Sequence, residues 1–161
     1  MGVDDEISRW VRGYGKLAIM GVGNPLRRDD GVGVEIVKHL SGKVSRRVKL
    51  LDCGMAPEDF LLDVEAFKPT HVLIIDAAEL KAEPGEARLI PPQKIGDTTF
   101  SSHIIPLSIL VNMIIGDAGP KIVTLGIQPS STEFGEGLTP QLQAAAEKAV
   151  EAISEALKNA E

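Results

Sequence analysis

The chain has 161 residues, of which 43% are hydrophobic and 25% are charged, and this composition is typical of one globular domain that buries its own core. Its formal charge of -6 at pH 7 disfavours nucleic acid and anionic membranes as partners. The only cysteine, Cys53, excludes an intramolecular disulfide and a cysteine-rich metal site, so a reducing, cytoplasmic location is expected.

No export or membrane signal is apparent in the sequence. Residues 1–6 are acidic where a secretory leader is basic. The most apolar stretch, residues 103–116, is interrupted by Pro106 and Asn112 and is shorter than the roughly 20 residues of a membrane span. We therefore expect no membrane insertion.

The first predicted elements are a short helix and a β-loop-α unit. Apolar residues at helical spacing predict a helix within residues 1–15, which we interpret as an N-terminal extension. Residues 16–22 form an apolar run that predicts the first strand. Asp29 and Asp30 then open a helix whose apolar stripe is Val34, Val37 and Leu40.

The same pattern is repeated in the middle of the chain. Residues 48–51 predict a second strand that ends at Asp52, and a helix follows from Pro57. Residues 71–75 predict a third strand that ends at Asp76. A tight turn leads into a fourth strand over 87–90, which must run antiparallel because no crossover helix fits between the two.

The last third of the chain completes the predicted domain. We expect a loop over 91–102, a helix ended by Gly116, a fifth strand over 121–125 and a final helix that begins at Thr139-Pro140. The prediction is an α/β fold over residues 16–161. It is a single-domain three-layer sandwich with helices on both faces of a mostly parallel, twisted, five-stranded sheet that has one antiparallel strand.

Three polar residues are candidates for a site. In open α/β sheets, ligands bind beyond the carboxyl ends of the strands, and a 2-1-3 strand order makes Asp30 and Asp76 neighbours there. Two ionised carboxylates that lie close together repel each other, and a shared proton or a bound cation relieves this repulsion. An imidazole from His103 favours the cation. Spacing alone also allows the simpler alternative that each aspartate is a helix cap or turn former.

Other chemistries have weaker support in the sequence. No base accompanies Cys53, and His39 and His71 are interpreted as structural. No Gly-x-Ser-x-Gly elbow surrounds Ser101 or Ser102. Leu26 replaces the third glycine of a dinucleotide-binding motif, so the glycines of this region are interpreted as permitting tight turns and close backbone approach.

One segment is more specific than these patterns. Residues 21–33, GVGNPLRRDDGVG, resemble the opening motif of the [NiFe]-hydrogenase maturation endopeptidases. Further matches follow in order at 71–77 (HVLIIDA), 101–107 (SSHIIPL) and 125–129 (LGIQP), so the resemblance covers about residues 16–157. Cys53 and Met55 depart from the Gly and Ser/Thr often found after the second strand of this family.

The resemblance implies a function and a site. The family removes a C-terminal extension from the precursor of the hydrogenase large subunit after nickel insertion, so that precursor is the expected partner. The matching positions Asp30, Asp76 and His103 are the implied nickel-contacting set, and we expect them to be the catalytic and metal-binding residues of an aspartic-type or metal-dependent endopeptidase. Nickel is expected to arrive with the precursor, and no organic cofactor is expected.

Two alternatives stay open at the level of sequence. Peptidyl-tRNA hydrolases share a Gly-x-Gly-Asn-Pro turn, but their Thr-Arg-His-Asn element is missing here and the acidic charge does not favour tRNA. A nickel-binding maturation chaperone without catalytic activity would use the same ligands as the protease.

Overall fold

The computed structural model describes residues 2–100, 106–116 and 119–161. Its helices are α1 (Val3–Trp10), α2 (Val32–Leu40), α3 (Leu61–Phe67), α4 (Leu107–Ile115) and α5 (Pro140–Ala160). Its strands are β1 (Leu17–Val22), β2 (Val48–Gly54), β3 (His71–Glu79), β4 (Ala87–Ile90), β5 (Thr99–Phe100) and β6 (Lys121–Ile127). Short 3₁₀ helices span Arg28–Gly31, Pro57–Phe60 and Pro92–Asp97.

The main sheet has the strand order β2-β1-β3-β6-β4. Its pairs are parallel except β4 with β6, which is antiparallel. The 2-1-3 order that would make Asp30 and Asp76 neighbours is therefore present, and the predicted antiparallel fourth strand and mostly parallel α/β class are confirmed.

Successive side chains of the central strands point to opposite faces of the sheet, and those on both faces are mostly apolar and buried. Helices therefore cover both faces. Leu17, Ile19 and Leu73 face a core shared with α1, α2 and α5. Ala18 and Met20 face a second core shared with α3 and α4. The result is the predicted three-layer arrangement.

The prediction of five strands was wrong by one strand. The two-residue strand β5 pairs antiparallel with the end of β3, where Ala78 lies opposite Phe100. The segment 91–102, predicted as a loop, also contains the 3₁₀ helix Pro92–Asp97. Both elements are too short to produce a hydrophobic period, and only Ile95 of this 3₁₀ helix is buried.

Two strands are longer than predicted. β3 continues past Asp76 to Glu79, since β6 and then β5 supply partners. β2 continues past Asp52 to Gly54, where the register shift against β1 marks a bulge. Asp76 and Asp52 thus lie inside their strands, because pairing partners set the strand ends and the local polarity does not.

The N-terminal helix α1 packs on the domain. Ile7, Val11 and Tyr14 are almost fully buried in the core that contains α5. No helix in the described ranges combines the length and apolarity needed to cross a membrane.

The entry into α2 depends on glycine. A Cβ built on Gly33 would lie 2.1 Å from the carbonyl oxygen of Ile75 in β3. Gly23 has φ +137°, and its Cβ would lie 1.8 Å from the carbonyl oxygen of Asp30. Both contacts involve backbone atoms that side-chain rotation cannot move, so the close backbone approach predicted for these glycines is confirmed.

We expect Gly33→Ala to destabilise the fold by about 3 kcal/mol, the upper end of the usual cost of overpacking, because the clash is with backbone. For a domain of this size that is a fall in Tm of roughly 6–12 °C. Gly96→Ala is the matched control, since nothing lies within 4 Å of its Cβ position. Equal Tm values for the two variants in calorimetry would contradict the proposed contact.

Candidate active site

A crevice opens between β1 and β3 at their carboxyl ends. The pairing of the two strands ends at Gly21 with Ile75, and β1 then pairs only with β2. Strand order reverses at this position, since β2 lies to one side of β1 and β3 to the other. Such a switch point is where ligands bind in open α/β sheets.

Asp76 is the first residue of β3 beyond this separation. It is fully buried, with 0% exposure, and pairs with Gly126 of β6. It shares its alternation with Val72 and Ile74, so it lies on the face of the sheet that α3 and α4 cover.

Asp30 lies in the 3₁₀ helix that precedes α2. Its Oδ2 accepts a hydrogen bond from the backbone N–H of Asn24 at 2.9 Å. The Asn24 side chain in turn accepts the N–H of Leu26 at 3.0 Å, which closes the turn after β1. The contact of Gly33 with Ile75 brings this segment against the end of β3, next to Asp76.

The structure thus brings the segments of Asp30 and Asp76 together at one sheet edge. The third predicted residue, His103, lies outside the described residues, as do Ser101 and Ser102. Within residues 2–100, 106–116 and 119–161, no group of three or more His, Cys, Asp or Glu side chains could hold a metal ion. The three-residue nickel set therefore stays a prediction.

A cleft of about 560 Å³ opens at this edge of the sheet. Its lining residues come from the turn after β1, the ends of β2 and β3, strand β5 and the segment after β6: Asn24, Arg27, Asp30, Met55, Ala77, Ala78, Glu79, Thr99, Phe100, Pro129 and Thr132. Asp30 is 7% exposed, so its carboxylate is shielded from bulk water while it contacts the cleft.

Two larger cavities lie elsewhere. One, of about 800 Å³, lies between the end of α2 and α5, and another, of about 970 Å³, lies beside α3 and the start of β6. Neither includes residues from the carboxyl edge of the sheet. The smaller cleft is the candidate active site, because it lies at the switch point of the strand order and is lined by the buried Asp30.

Asp29 has a structural role that the sequence did not reveal. Its fully buried carboxylate accepts four hydrogen bonds, from the N–H groups of Ser130, Ser131 and Thr139 and from the Thr139 hydroxyl, at 2.7–3.0 Å. These partners are 101–110 residues away in the chain. No local pattern could have shown this, since the sequence predicts only that Asp29 follows the first strand and opens a helix.

Gln128 is a second residue that sequence reasoning missed, although it lies within the LGIQP segment. It is 6% exposed, and its Oε1 accepts the N–H of Leu80 at 2.7 Å. Its Nε2 donates to Glu79 Oε2 at 3.0 Å. The end of β3 and the turn beyond it are thereby attached to the end of β6.

The surroundings of Cys53, His71 and His39 fit structural roles. Burial raises the pKa of the Cys53 thiol to about 12, and the Asp52 carboxylate adds to this effect, so the thiol is protonated at neutral pH. His71 is 4% exposed, and its Nδ1 lies 2.8 Å from the Thr70 hydroxyl. The exposed His39 lies 3.5 Å from Glu35 on the same helix.

Comparison with known proteins identifies the family. A sequence profile described as HycI, hydrogenase maturation protease, matches residues 34–156. The chain belongs to the hydrogenase maturation protease family. A Methanocaldococcus jannaschii protein assigned as a hydrogenase maturation protease is 37% identical over 127 residues, covering 74% of this chain and 75% of that protein. The hydrogenase 3 maturation protease of Escherichia coli K12 is 32% identical, covering 78% of this chain and 81% of that protein.

A solved structure supports the same assignment. The crystal structure of the [NiFe] hydrogenase maturation protease HycI from Thermococcus kodakarensis KOD1 matches with a TM-score of 0.86 and 33% identity. The match covers 96% of this chain and 99% of that one. The protease is therefore a hydrolase, and the peptidyl-tRNA hydrolase alternative is not favoured.

We expect Asp29→Asn to destabilise the protease by about 3 kcal/mol, because an amide retains only part of a set of charged hydrogen bonds and opposes an NH₂ to backbone donors. The fall in Tm should be roughly 6–12 °C. Amide exchange should also accelerate within residues 130–139, which the carboxylate holds. Asp63→Asn, in an exposed position of α3, is the control, and an equally small Tm change in both variants would contradict the role of Asp29.

Proposed function

We propose that this protease removes the C-terminal extension from the precursor of a [NiFe]-hydrogenase large subunit, after nickel has been inserted. Family membership supports a precursor of this kind as the substrate. The observation that carries the proposal is the crevice between β1 and β3, where the segments of Asp30 and Asp76 lie together and Asp30 lines a cleft.

The nickel is part of the substrate in this proposal. Asp30, Asp76 and His103 would contact it with two carboxylate oxygens and one imidazole nitrogen, a donor set that suits a divalent metal and leaves coordination positions for the precursor's own ligands. Binding the metal positions the adjacent scissile peptide, so recognition of nickel and orientation for cleavage are one event. Hydrolysis then belongs to the aspartic-type or metal-dependent class.

The surroundings of the cleft suit a polypeptide segment. Met55 lines the cleft and is 53% exposed. Leu26 and Phe134 are 49% and 75% exposed, and they belong to the two neighbouring loops joined through Arg27 and Gly135. Exposed apolar side chains around a polar site are typical of a surface that binds another chain.

The location that we propose is the cytoplasm, and no organic cofactor takes part. The single cysteine is free and buried, which suits a reducing compartment. The formal charge of -6 gives no support to a nucleic acid partner.

The main prediction concerns cleavage. Asp76→Asn and His103→Ala should each lower the rate of processing of a nickel-loaded precursor by about 100-fold or more, since each removes a group at the reacting centre. A precursor without nickel should stay uncut by the wild-type protease. The measurement is the mass of the large subunit over time, with Asp59→Asn, an exposed position, as the control.

Three results would contradict this proposal. Near-normal processing of the precursor by either folded variant would show that the substituted residue is not a catalytic residue. Efficient cleavage of the nickel-free precursor would show that the peptide sequence alone is recognised. Nickel binding without any cleavage by the wild type would instead indicate a chaperone.

A second prediction concerns metal binding by the free protease. Ni²⁺ at roughly 100 times its Kd should stabilise the wild type by about 2.7 kcal/mol, which is a Tm increase of roughly 5–11 °C. Asp30→Ala should lose most of this increase in calorimetry, whereas Asp63→Ala, an exposed position, should keep it. Equal increases for all three proteins would place the metal elsewhere.

A further inference from the structure

Glu79 is a carboxylate of the cleft that the proposed mechanism does not use. It is the last residue of β3, it lines the cleft together with Asp30, and it is exposed. Asp30 is 7% exposed. A side chain that enters the cleft from solvent therefore has more access to Glu79 than to Asp30.

The Glu79 side chain is held in place by two hydrogen bonds. Its Oε1 accepts the backbone N–H of Lys81 at 2.9 Å, and its Oε2 accepts Gln128 Nε2 at 3.0 Å. These donors, with that of Gln128 the larger influence, hold the pKa of Glu79 below its ordinary value, so the group is ionised at neutral pH. A carboxylate can accept about four hydrogen bonds, so acceptor capacity remains for a ligand.

Both the oxygen and the nitrogen of the Gln128 side-chain amide are hydrogen-bonded. Its Oε1 accepts the N–H groups of Leu80 and Ala82 at 2.7 and 3.4 Å. Its Nε2 also donates to the carbonyl of Pro129 at 3.3 Å. Because the glutamine is 6% exposed and its neighbours fix its orientation, the Glu79 carboxylate is oriented before any ligand binds.

No Lys, Arg or His nitrogen within residues 2–100, 106–116 and 119–161 lies within 4.0 Å of the Glu79 carboxylate. The positive charge of Lys81 acts on Glu79 from a longer distance and is the smallest contribution to its lowered pKa. Arg27 is the only cation among the described residues that line the cleft. Its guanidinium lies over the Phe134 ring, 5.9 Å from the centroid. The cleft therefore presents an oriented anion to an incoming chain.

We propose that Glu79 is a specificity-determining residue that binds a lysine or arginine side chain of the precursor near the scissile bond, with Gln128 as its positioning residue. This inference rests on the proposed function. A cationic side chain complements the oriented carboxylate, and its binding orients the peptide that runs past Asp30. The contact forms in the bound substrate and persists in the transition state, so it contributes to KM and not to kcat.

The first test is steady-state cleavage of the nickel-loaded precursor. Glu79→Gln should raise KM about two- to fivefold, the upper range of an exposed ion pair, and leave kcat within about twofold. Glu79→Lys should raise KM further. Glu83→Gln is the matched control, because it makes the same change at an exposed position of the β3–β4 connection that does not line the cleft.

The second test identifies the partner of Glu79 on the precursor. Each lysine and arginine near the cleavage site is replaced singly by glutamine. One replacement should raise KM for the wild-type protease by the same factor as Glu79→Gln and have no further effect on Glu79→Gln. Glu79→Lys should recover activity on a precursor with glutamate at that position.

Two outcomes would overturn the inference and leave the proposed function intact. One is an unchanged KM for Glu79→Gln. The other is a KM increase that is the same for every precursor variant and is not recovered by the charge exchange. Failure of the wild type to cleave any nickel-loaded precursor would overturn the proposed function, and this inference with it.

Discussion

Helix α2 approaches the end of β3 so closely that a Cβ on Gly33 would lie 2.1 Å from the carbonyl oxygen of Ile75. This contact determines where the 3₁₀ helix before α2 lies, and therefore where Asp30 lies. Asp76 is the next residue along β3, so this backbone contact brings the segments of the two aspartates together. The glycines of the opening motif have a geometric purpose, since they let the backbone approach where a side chain would prevent it.

Around this contact, buried polar side chains connect segments that are distant in the chain. Asp29 attaches residues 130–139 to the 3₁₀ helix before α2, and Gln128 attaches the end of β3 to the end of β6. Each exchanges bonds to water for bonds to several donors or acceptors, so its burial is compensated. The walls of the cleft are thus held by polar side chains that take no part in the proposed chemistry.

The two adjacent aspartates have different roles for this reason. Asp29 is fully buried with four donors on its carboxylate, which leaves little acceptor capacity for a ligand. Asp30 is 7% exposed, lines the cleft, and accepts a hydrogen bond from the backbone N–H of Asn24. The two residues are of the same type and adjacent in the sequence, so only their surroundings in the fold distinguish their roles.

The sequence by itself determined the α/β class, the antiparallel β4, the covering helices and the candidate status of Asp30 and Asp76. These follow from hydrophobic periodicity, from turn residues and from the rule that sites lie at the carboxyl edge of a parallel sheet. It did not determine strand β5, the full length of β3, or the roles of Asp29, Glu79 and Gln128. Those depend on partners from 20 to 110 residues away, and only tertiary structure, in which pairing and burial decide which bonds form, brings such partners together.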